Sequence, residues 1–456
     1  VSMPDVVGRI SFFVNAGIRF IEEMCKLKAF TRLWDELVAS RYGVEDAKMR
    51  RFRYGVQVNS LGLTAQQPEN NVQRIVLEML GVTLSQEARA RSVQLPAWNE
   101  ALGLPRPSDQ QWSLRIQQVL AYETDLLEYG QDIFDGSHVV EAKVAEIIEG
   151  TRQELARIQE IGDAAQAIEV MKQSLVASHA ERQRNIESGD IQIVGLNAFT
   201  EHEPSPLVQS GTAESILVVD PAVEREQVER LQAFRKQRAE KEVQAALQGL
   251  EDAAKNGSNI MQASIRAARA GVTTGEWSGL LREAFGEYRA PTGVQGVATT
   301  SGGAIAEVQA KVRELSKKLG HPPRLLVGKP GLDGHSNAAD QVAVRAKDAG
   351  FEVIYEGIRL TPEQIVASAM EEDVDAIGLS IHSGSHMALI PRIMDLLHDR
   401  GMHDVPVVVG GIIPDSDHAA LEAKGVARIY TPGGSTLTQI VDDLTELVGK
   451  GFDAAA

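Results

Sequence analysis

From about residue 321 onward, short β-branched apolar runs alternate with helical patterns five times. The runs are 324–328 (RLLVG), 351–355 (FEVIY), 374–380 (VDAIGLS), 405–410 (VPVVVG) and 427–430 (ARIY). Their nearly continuous apolar character predicts strands buried on both faces. Between them, Ala339, Val342, Ala343, Ala346 and Ala349 share one helical face. A second helix opens with Thr361, Pro362 and Gln364: an N-cap, a first-turn proline and a capping-box partner. Five β/α repeats predict a doubly wound, flavodoxin-like parallel sheet.

The first 150 residues alternate as well. Strands are predicted at 9–14 (RISFFV), 53–58 (RYGVQV) and 92–95 (SVQL), followed by helices over 18–38, 72–82 and 109–129. Three β/α units are too few to close an eight-stranded barrel. Residues 151–320 are rich in Ala, Glu, Gln, Arg and Lys. Their patterns predict helices over 222–252 and 260–270 and loops at 203–211 and 298–304, a solvated helical linker with charged faces. The expected domains are therefore 1–150, 151–320 and 321–456.

Composition narrows the classes. With 43% hydrophobic and 24% charged residues, the 456-residue chain reads as globular rather than disordered or coiled-coil. No apolar run approaches the ~20 residues that span a bilayer, and no leader pattern opens the chain, which predicts a soluble, unsecreted protein. Its single cysteine, Cys25, excludes an internal disulfide and a Cys-based zinc site, and fits a reducing cytoplasm. Cys25 shares an apolar helical side with Ile21, Met24 and Leu33 and is expected in the core. A formal charge of −17 argues against binding a nucleic-acid backbone.

The chemistry gathers after the strand at 324–328, in Lys329-Pro-Gly-Leu-Asp333-Gly334-His335-Ser-Asn. In an open α/β sheet, ligands bind beyond the carboxyl ends of the strands. A metal-binding histidine gives its other ring N–H to a carboxylate or carbonyl, which fixes the tautomer. Asp333 is placed for that, and Lys329 is placed to hold Asp333. One histidine cannot supply the several ligands zinc needs. A phosphate loop is excluded because Pro330 stands where the Walker pattern requires Ser or Thr. Ser380, Gly410 with Gly411, and Gly433 with Gly434, Ser435 and Thr436 end the later strands, where small residues let a ligand approach the backbone. His382 and His386 read as pocket or surface residues.

This segment resembles the base-off cobalamin-binding domain and its Asp-x-His-x-x-Gly signature. The resemblance implies that His335 ligates cobalt, with Asp333 as its hydrogen-bond partner and Lys329 as the third member. It implies that Ser380, Gly410, Gly411 and Gly433 line the groove for the displaced nucleotide tail, with Gly334 and Gly434 beside them. Two departures stand out: Ala338 replaces the signature's glycine, and the Ser-x-Leu that often ends the third strand is Ser380-Ile381-His382.

Arg9-Ile-Ser11-Phe-Phe, Arg53-Tyr-Gly-Val-Gln57, the 63–71 stretch ending in Asn70-Asn71, and the 99–105 stretch resemble the later strands of the acyl-CoA mutase barrel. Barrel portion, helical linker and cobalamin domain follow in the order of the methylmalonyl-CoA mutase superfamily. Within it, 93–102 and 328–337 are most similar to the ethylmalonyl-CoA mutases. Typical methylmalonyl-CoA mutases have Leu-His-Thr-Asn where this chain has Gln94-Leu95-Pro96-Ala97, and a histidine where it has Gly55. Loss of that imidazole is expected to open space for a longer α-branch. By resemblance, Arg9 and Ser11 contact coenzyme A, Gln57 holds the acyl group, and adenosylcobalamin supports a radical carbon-skeleton rearrangement.

The resemblance places a radical-flanking Tyr and a catalytic His on earlier barrel strands, so an incomplete subunit, inactive alone, is expected. It implies an acyl-CoA substrate, a homodimer or a missing barrel half, and a G-protein chaperone, with no nucleic acid and no membrane. The competing readings are a methylmalonyl-CoA mutase, a stand-alone cobalamin-binding subunit working with a separate catalytic chain, a methyltransferase module and a sensor.

Overall fold

The computed structural model of the chain describes residues 2–201, 203, 205, 207, 208, 216, 217, 220–295, 305–431 and 434–455. They form two compact units, Val1–Leu217 with Pro291–Ala456, and Val218–Ala290. The loop expected at 298–304 and most of the one at 203–211 lie outside the described residues.

The larger unit opens with a parallel sheet of β1 (Phe12–Ala16), β2 (Tyr54–Val58) and β3 (Ser92–Gln94), in that order. β1 begins later than the sequence suggests. Ser2 caps a short helix, Met3–Val7, and the N–H groups of Arg9 and Ile10 still donate back to Val6 and Val7 at 3.1 and 3.2 Å. These residues close a turn, so ladder pairing starts only at Phe12. One face of the sheet packs Ala16, Tyr54 and Val56 against Leu27 and Val82. The helix Phe20–Tyr42 stops at Gly43, whose φ of +63° suits glycine. The helix expected to run to 129 ends at Tyr122. Cys25 is fully buried among Met24, Ala29, Val140 and Val144, whereas Ile21 of the same helix is exposed.

Two long helices follow, His138–Ile161 and Ala164–Ser188. The second joins the core of the C-terminal sheet through Val176 and Ala180. That sheet contains β4 (Arg324–Gly328), β5 (Glu352–Tyr355), β6 (Ala376–Ile381), β7 (Val407–Gly411) and β8 (Arg428–Tyr430). All pairs are parallel, in the order β5-β4-β6-β7-β8. Alternation sends Leu325, Val327, Ala376 and Val408 to one face, under the helices Asn337–Ala349 and Leu437–Ala455. Leu326, Ile377, Leu379, Ile381, Val407 and Val409 face the other side, under Pro362–Glu371 and His386–Asp399. The capping box at Thr361 forms as expected, with Gln364 N donating to Thr361 Oγ1 at 3.2 Å and Thr361 N donating to Gln364 Oε1 at 2.8 Å.

Among its described residues the smaller unit holds four helices: Pro221–Gln237, Glu240–Lys255, Ile260–Ala270 and Thr274–Phe285. Val243, Leu250, Ala254, Ala263 and Ala267 are buried, so this stretch has a core of its own. The single helix expected over 222–252 breaks at Arg238, whose backbone is extended. Its guanidinium donates to Glu276 Oε2 at 2.7 Å and to the Gly271 carbonyl at 2.9 Å, a tertiary gain that helical propensity does not encode. Among the described residues no helix is long and apolar enough to cross a membrane.

Candidate functional site

The crossover from β4 passes to one side and that from β6 to the other, so a crevice opens between their carboxyl ends. The loop 329–336 lies there. Gly331 N donates to the Leu360 carbonyl at 2.9 Å and Leu360 N to the Lys329 carbonyl at 3.1 Å, which fastens the loop to the segment after β5. Gly331 has φ of +82°, and a Cβ there would come within 2.7 Å of Leu389 Cδ1. The positive φ is what calls for glycine, since the Leu389 methyl can shift. A Cβ at Gly334 would meet only the Arg359 guanidinium, at 3.8 Å.

Asp333 is the hub. Oδ2 accepts from Lys329 Nζ at 2.7 Å and from His382 N at 3.0 Å, and Oδ1 accepts from His335 N at 3.0 Å. His335 Nδ1 lies 2.7 Å from the same Oδ1. An ionised carboxylate only accepts, so Nδ1 carries the proton, and the neutral form of this tautomer has its lone pair on Nε2. The Lys329 side chain is fully buried, whereas that of His335 is 81% exposed. Burial alone would raise the Asp333 pKa. The Lys329 ammonium and the donors from His335 and His382 outweigh it and hold the carboxyl well below the usual range. Asp333, Lys329 and His335 thus stand together as the sequence suggests: a buried charge pair orients an outward imidazole.

Beyond the loop, Gly378, Ser380 and Gly410 share the face that carries helix Asn337–Ala349, by strand alternation and by the pairing of Ser380 with Gly410. They make a trough of small residues. Two buried polar atoms at its end, Ser380 Oγ and His382 Nδ1, have no hydrogen-bond partner. Burial first, and then the Lys329 ammonium, push the His382 pKa down to about 4. Gly411 faces the opposite side. Its φ is +145°, and a Cβ would overlap the Ile381 carbonyl, so this glycine serves backbone packing. Gly434 is exposed, and Gly433 lies outside the described residues. His386 is 5% exposed, with Nε2 2.7 Å from Oδ2 of the partly exposed Asp417, and is a buried ring rather than a surface group.

The first sheet turns Ser11, Phe13, Asn15, Gly55, Gln57, Ser92 and Gln94 to one face, by alternation and by the registers Phe13↔Gly55↔Ser92 and Asn15↔Gln57↔Gln94. Arg9 precedes the strand in a turn and is exposed. Gly55 does not leave the vacancy expected of it. A Cβ there would stand 2.7 Å from Ser92 Oγ and 3.3 Å from Phe13 Cδ2, so those groups fill the space.

Sequence reasoning missed Glu100. It follows β3, and burial raises its pKa while a Ser60 hydrogen bond and the His335 charge oppose the rise. Leu104, in the same turn, puts Cδ1 3.5 Å from where a Gly384 Cβ would be. The turn after β3 therefore rests against the loop after β6. The sequence signal for it is the 93–102 stretch, in which Glu100 lies.

Among the described residues, no group of three or more His, Cys, Asp or Glu could hold a metal ion. A metal here would need most of its ligands from a carrier, as in a corrinoid. The exposed imidazole, the trough and the two orphaned polar atoms fit such a group.

Comparison with known proteins agrees. Residues 1–287 match the methylmalonyl-CoA mutase family model and residues 323–441 match the B12 binding domain. The chain belongs to the methylmalonyl-CoA mutase family and carries a B12 binding domain. Among its relatives, the ethylmalonyl-CoA mutase of Cereibacter sphaeroides is 56% identical over 99% of this chain and 69% of its own length. That of Methylorubrum extorquens is 56% identical over 100% of the chain and 66% of its own length. The methylmalonyl-CoA mutase of Escherichia coli is 33% identical over 99% of the chain and 63% of its own length. The chain thus spans about two thirds of the curated relatives it matches.

Proposed function

We propose that this chain binds adenosylcobalamin, with His335 as the axial ligand to cobalt, and serves the isomerisation of ethylmalonyl-CoA to methylsuccinyl-CoA. One observation carries this reading: the Lys329–Asp333–His335 relay, which leaves one imidazole nitrogen free and outward. Bound there, the cofactor supplies the radical reactivity that a carbon-skeleton isomerisation needs. The protein's part is binding and orientation. Asp333 fixes the tautomer, Lys329 holds Asp333, and the row of Gly378, Ser380 and Gly410 presents small side chains along which a nucleotide tail would lie. Arg9 and Ser11 suit the polar groups of coenzyme A. Gln57, between Asn15 and Gln94, orients a thioester through neutral amides and supplies no proton. The identity to ethylmalonyl-CoA mutases supports the longer acyl branch over methylmalonyl-CoA.

The test is electron paramagnetic resonance of the reduced cobalt(II) complex on a chain whose histidines carry nitrogen-15. The isotope is expected to alter the nitrogen splitting, and His335→Ala to abolish it. A splitting indifferent to both changes overturns the assignment. Asp333→Asn is expected to weaken cobalamin binding about 10- to 100-fold, the usual cost of losing a ligand's supporting partner. Rates with ethylmalonyl-CoA and methylmalonyl-CoA on the active enzyme decide the substrate, and a strong methylmalonyl preference would end that part. For the 456 residues assayed alone, binding without turnover is expected. The exposed face of β1, β2 and β3 offers hydroxyls, amides and Phe13, but among the described residues no tyrosine or histidine. Measurable isomerisation by them would overturn that expectation.

A further inference from the structure

At the end of β6 the chain departs from the Ser-x-Leu pattern and places an imidazole where leucine is usual. The substitution is not accommodated as a surface group. The His382 side chain is 21% exposed, and its Nδ1 is buried without a hydrogen-bond partner. A buried polar atom left unpaired is costly, and native structures keep few of them. Two residues earlier, within β6, Ser380 Oγ is orphaned in the same way.

Both atoms stand beside the relay. Lys329 Nζ donates to the Ser380 carbonyl at 3.3 Å, His382 N donates to Asp333 Oδ2 at 3.0 Å, and the His382 ring centroid lies 6.2 Å from that of His335. Ser380 extends the row begun by Gly378 on β6, and His382 follows the last residue of that strand, with Nδ1 3.9 Å from Asp333 Oδ2. Gly410, paired with Ser380, keeps the adjoining floor free of side chains. The place thus combines small residues with unmet hydrogen-bonding capacity. A hydroxyl donates and accepts, and an uncharged imidazole has one donor and one acceptor nitrogen. Their complement is a neutral or anionic ligand rich in oxygen and nitrogen, as a nucleotide is.

We propose that His382, together with Ser380, hydrogen-bonds the nucleotide tail of the corrinoid, so that this chain reads the tail through a polar contact where leucine would offer only an apolar one. The proposal rests on the cobalamin reading above and specifies a side chain that reading leaves unused. His382 is a tail-binding residue distinct from the axial ligand, and its contribution disappears when the tail is absent.

The experiment titrates the full chain with hydroxocobalamin and, separately, with cobinamide, the same corrin without the nucleotide. The affinities are read from the absorption spectrum. His382→Phe keeps the ring and removes both nitrogens. His382→Leu is an independent second removal, and His382→Asn restores a polar atom near the Nδ1 position. The expected result is an affinity for hydroxocobalamin about tenfold lower in the Phe and Leu variants, the worth of one hydrogen bond to a buried group. Cobinamide binding is expected to be unchanged, which also shows that the variants are folded, and the Asn variant to recover most of the loss. Parental hydroxocobalamin affinity in both apolar variants overturns the proposal. So does an equal loss for both corrinoids, which would mark His382 as a support of the Asp333 loop. If the parent chain binds neither corrinoid, the cobalamin reading fails and the proposal falls with it.

Discussion

Nζ of Lys329 lies 2.7 Å from Oδ2 of Asp333, and the two side chains are 0% and 2% exposed. The charge pair that positions the His335 imidazole is thus sealed from solvent while the imidazole itself is not. The pair fixes the orientation of a ring that stays open to solvent.

Lys329→Met removes the cation and leaves a buried carboxylate without its main partner. A loss of about 3–5 kcal/mol is expected, the usual cost of breaking a buried pair from one side. Urea denaturation near neutral pH measures it. The folded-state pKa of Asp333 is depressed, so its contribution is present above the unfolded carboxylate pKa of about 3.9 and is lost as pH falls below it. The gap between parent and variant should therefore narrow on acidification, and a gap that widened would contradict the pairing.

Gly410 and Gly411 are adjacent but answer to different constraints. A Cβ at Gly410 would meet nothing closer than the Tyr430 carbonyl at 3.9 Å, whereas one at Gly411 would overlap the Ile381 carbonyl. Gly410→Ala is expected to change stability by less than about 1 kcal/mol while lowering cobalamin affinity, because the methyl enters the trough. Gly411→Ala is expected to cost more than about 3 kcal/mol. Thermal melts paired with cobalamin titrations separate the two, and equal destabilisation would show the faces to be misassigned.

Gly55→Ala sets a methyl against Ser92 Oγ and the Phe13 ring, at 2.7 and 3.3 Å before relaxation. The expected cost is about 1–3 kcal/mol, as for other overpacked sites. Ser92→Gly in the same chain should relieve part of it. A double-mutant cycle in urea measures a coupling of roughly 1 kcal/mol or more. Strict additivity would mean that the two residues do not share the space.

Glu78 is 1% exposed, and Oε2 has no hydrogen-bond partner. Burial, with some repulsion from Glu23, pushes its pKa up to about 8 against the opposing pull of Arg74. An unfolded glutamate ionises near about 4.3, so between those values the folded state holds a proton that the unfolded state has released. This contribution to stability is full below about pH 4.3 and declines as pH rises through about 8. Glu78→Gln should be more stable than the parent at pH 8 and close to it at pH 5. Denaturation midpoints across that range decide, and a difference independent of pH would place the carboxyl in a solvated site.

The β/α alternation, the five-stranded sheet, the capping box at Thr361 and the Lys329–Asp333–His335 loop were all legible in the chain. Each is written in local periodicity or in residues within a few positions of one another. Strand onsets were less legible: β1 starts at Phe12 because a turn closing the preceding helix consumes Arg9 and Ile10. The helix break at Arg238 depends on a partner, Glu276, far along the chain. Tertiary structure alone decided that Ser92 and Phe13 fill the space at Gly55, that Gly410 and Gly411 face opposite ways, and that Glu100 comes within electrostatic reach of His335. It also decided that Ser380 and His382 end as orphaned polar atoms beside the relay. Pattern specifies which residues share an element and a face. Which faces meet, and which buried groups are left unpaired, follows from packing between segments distant in sequence.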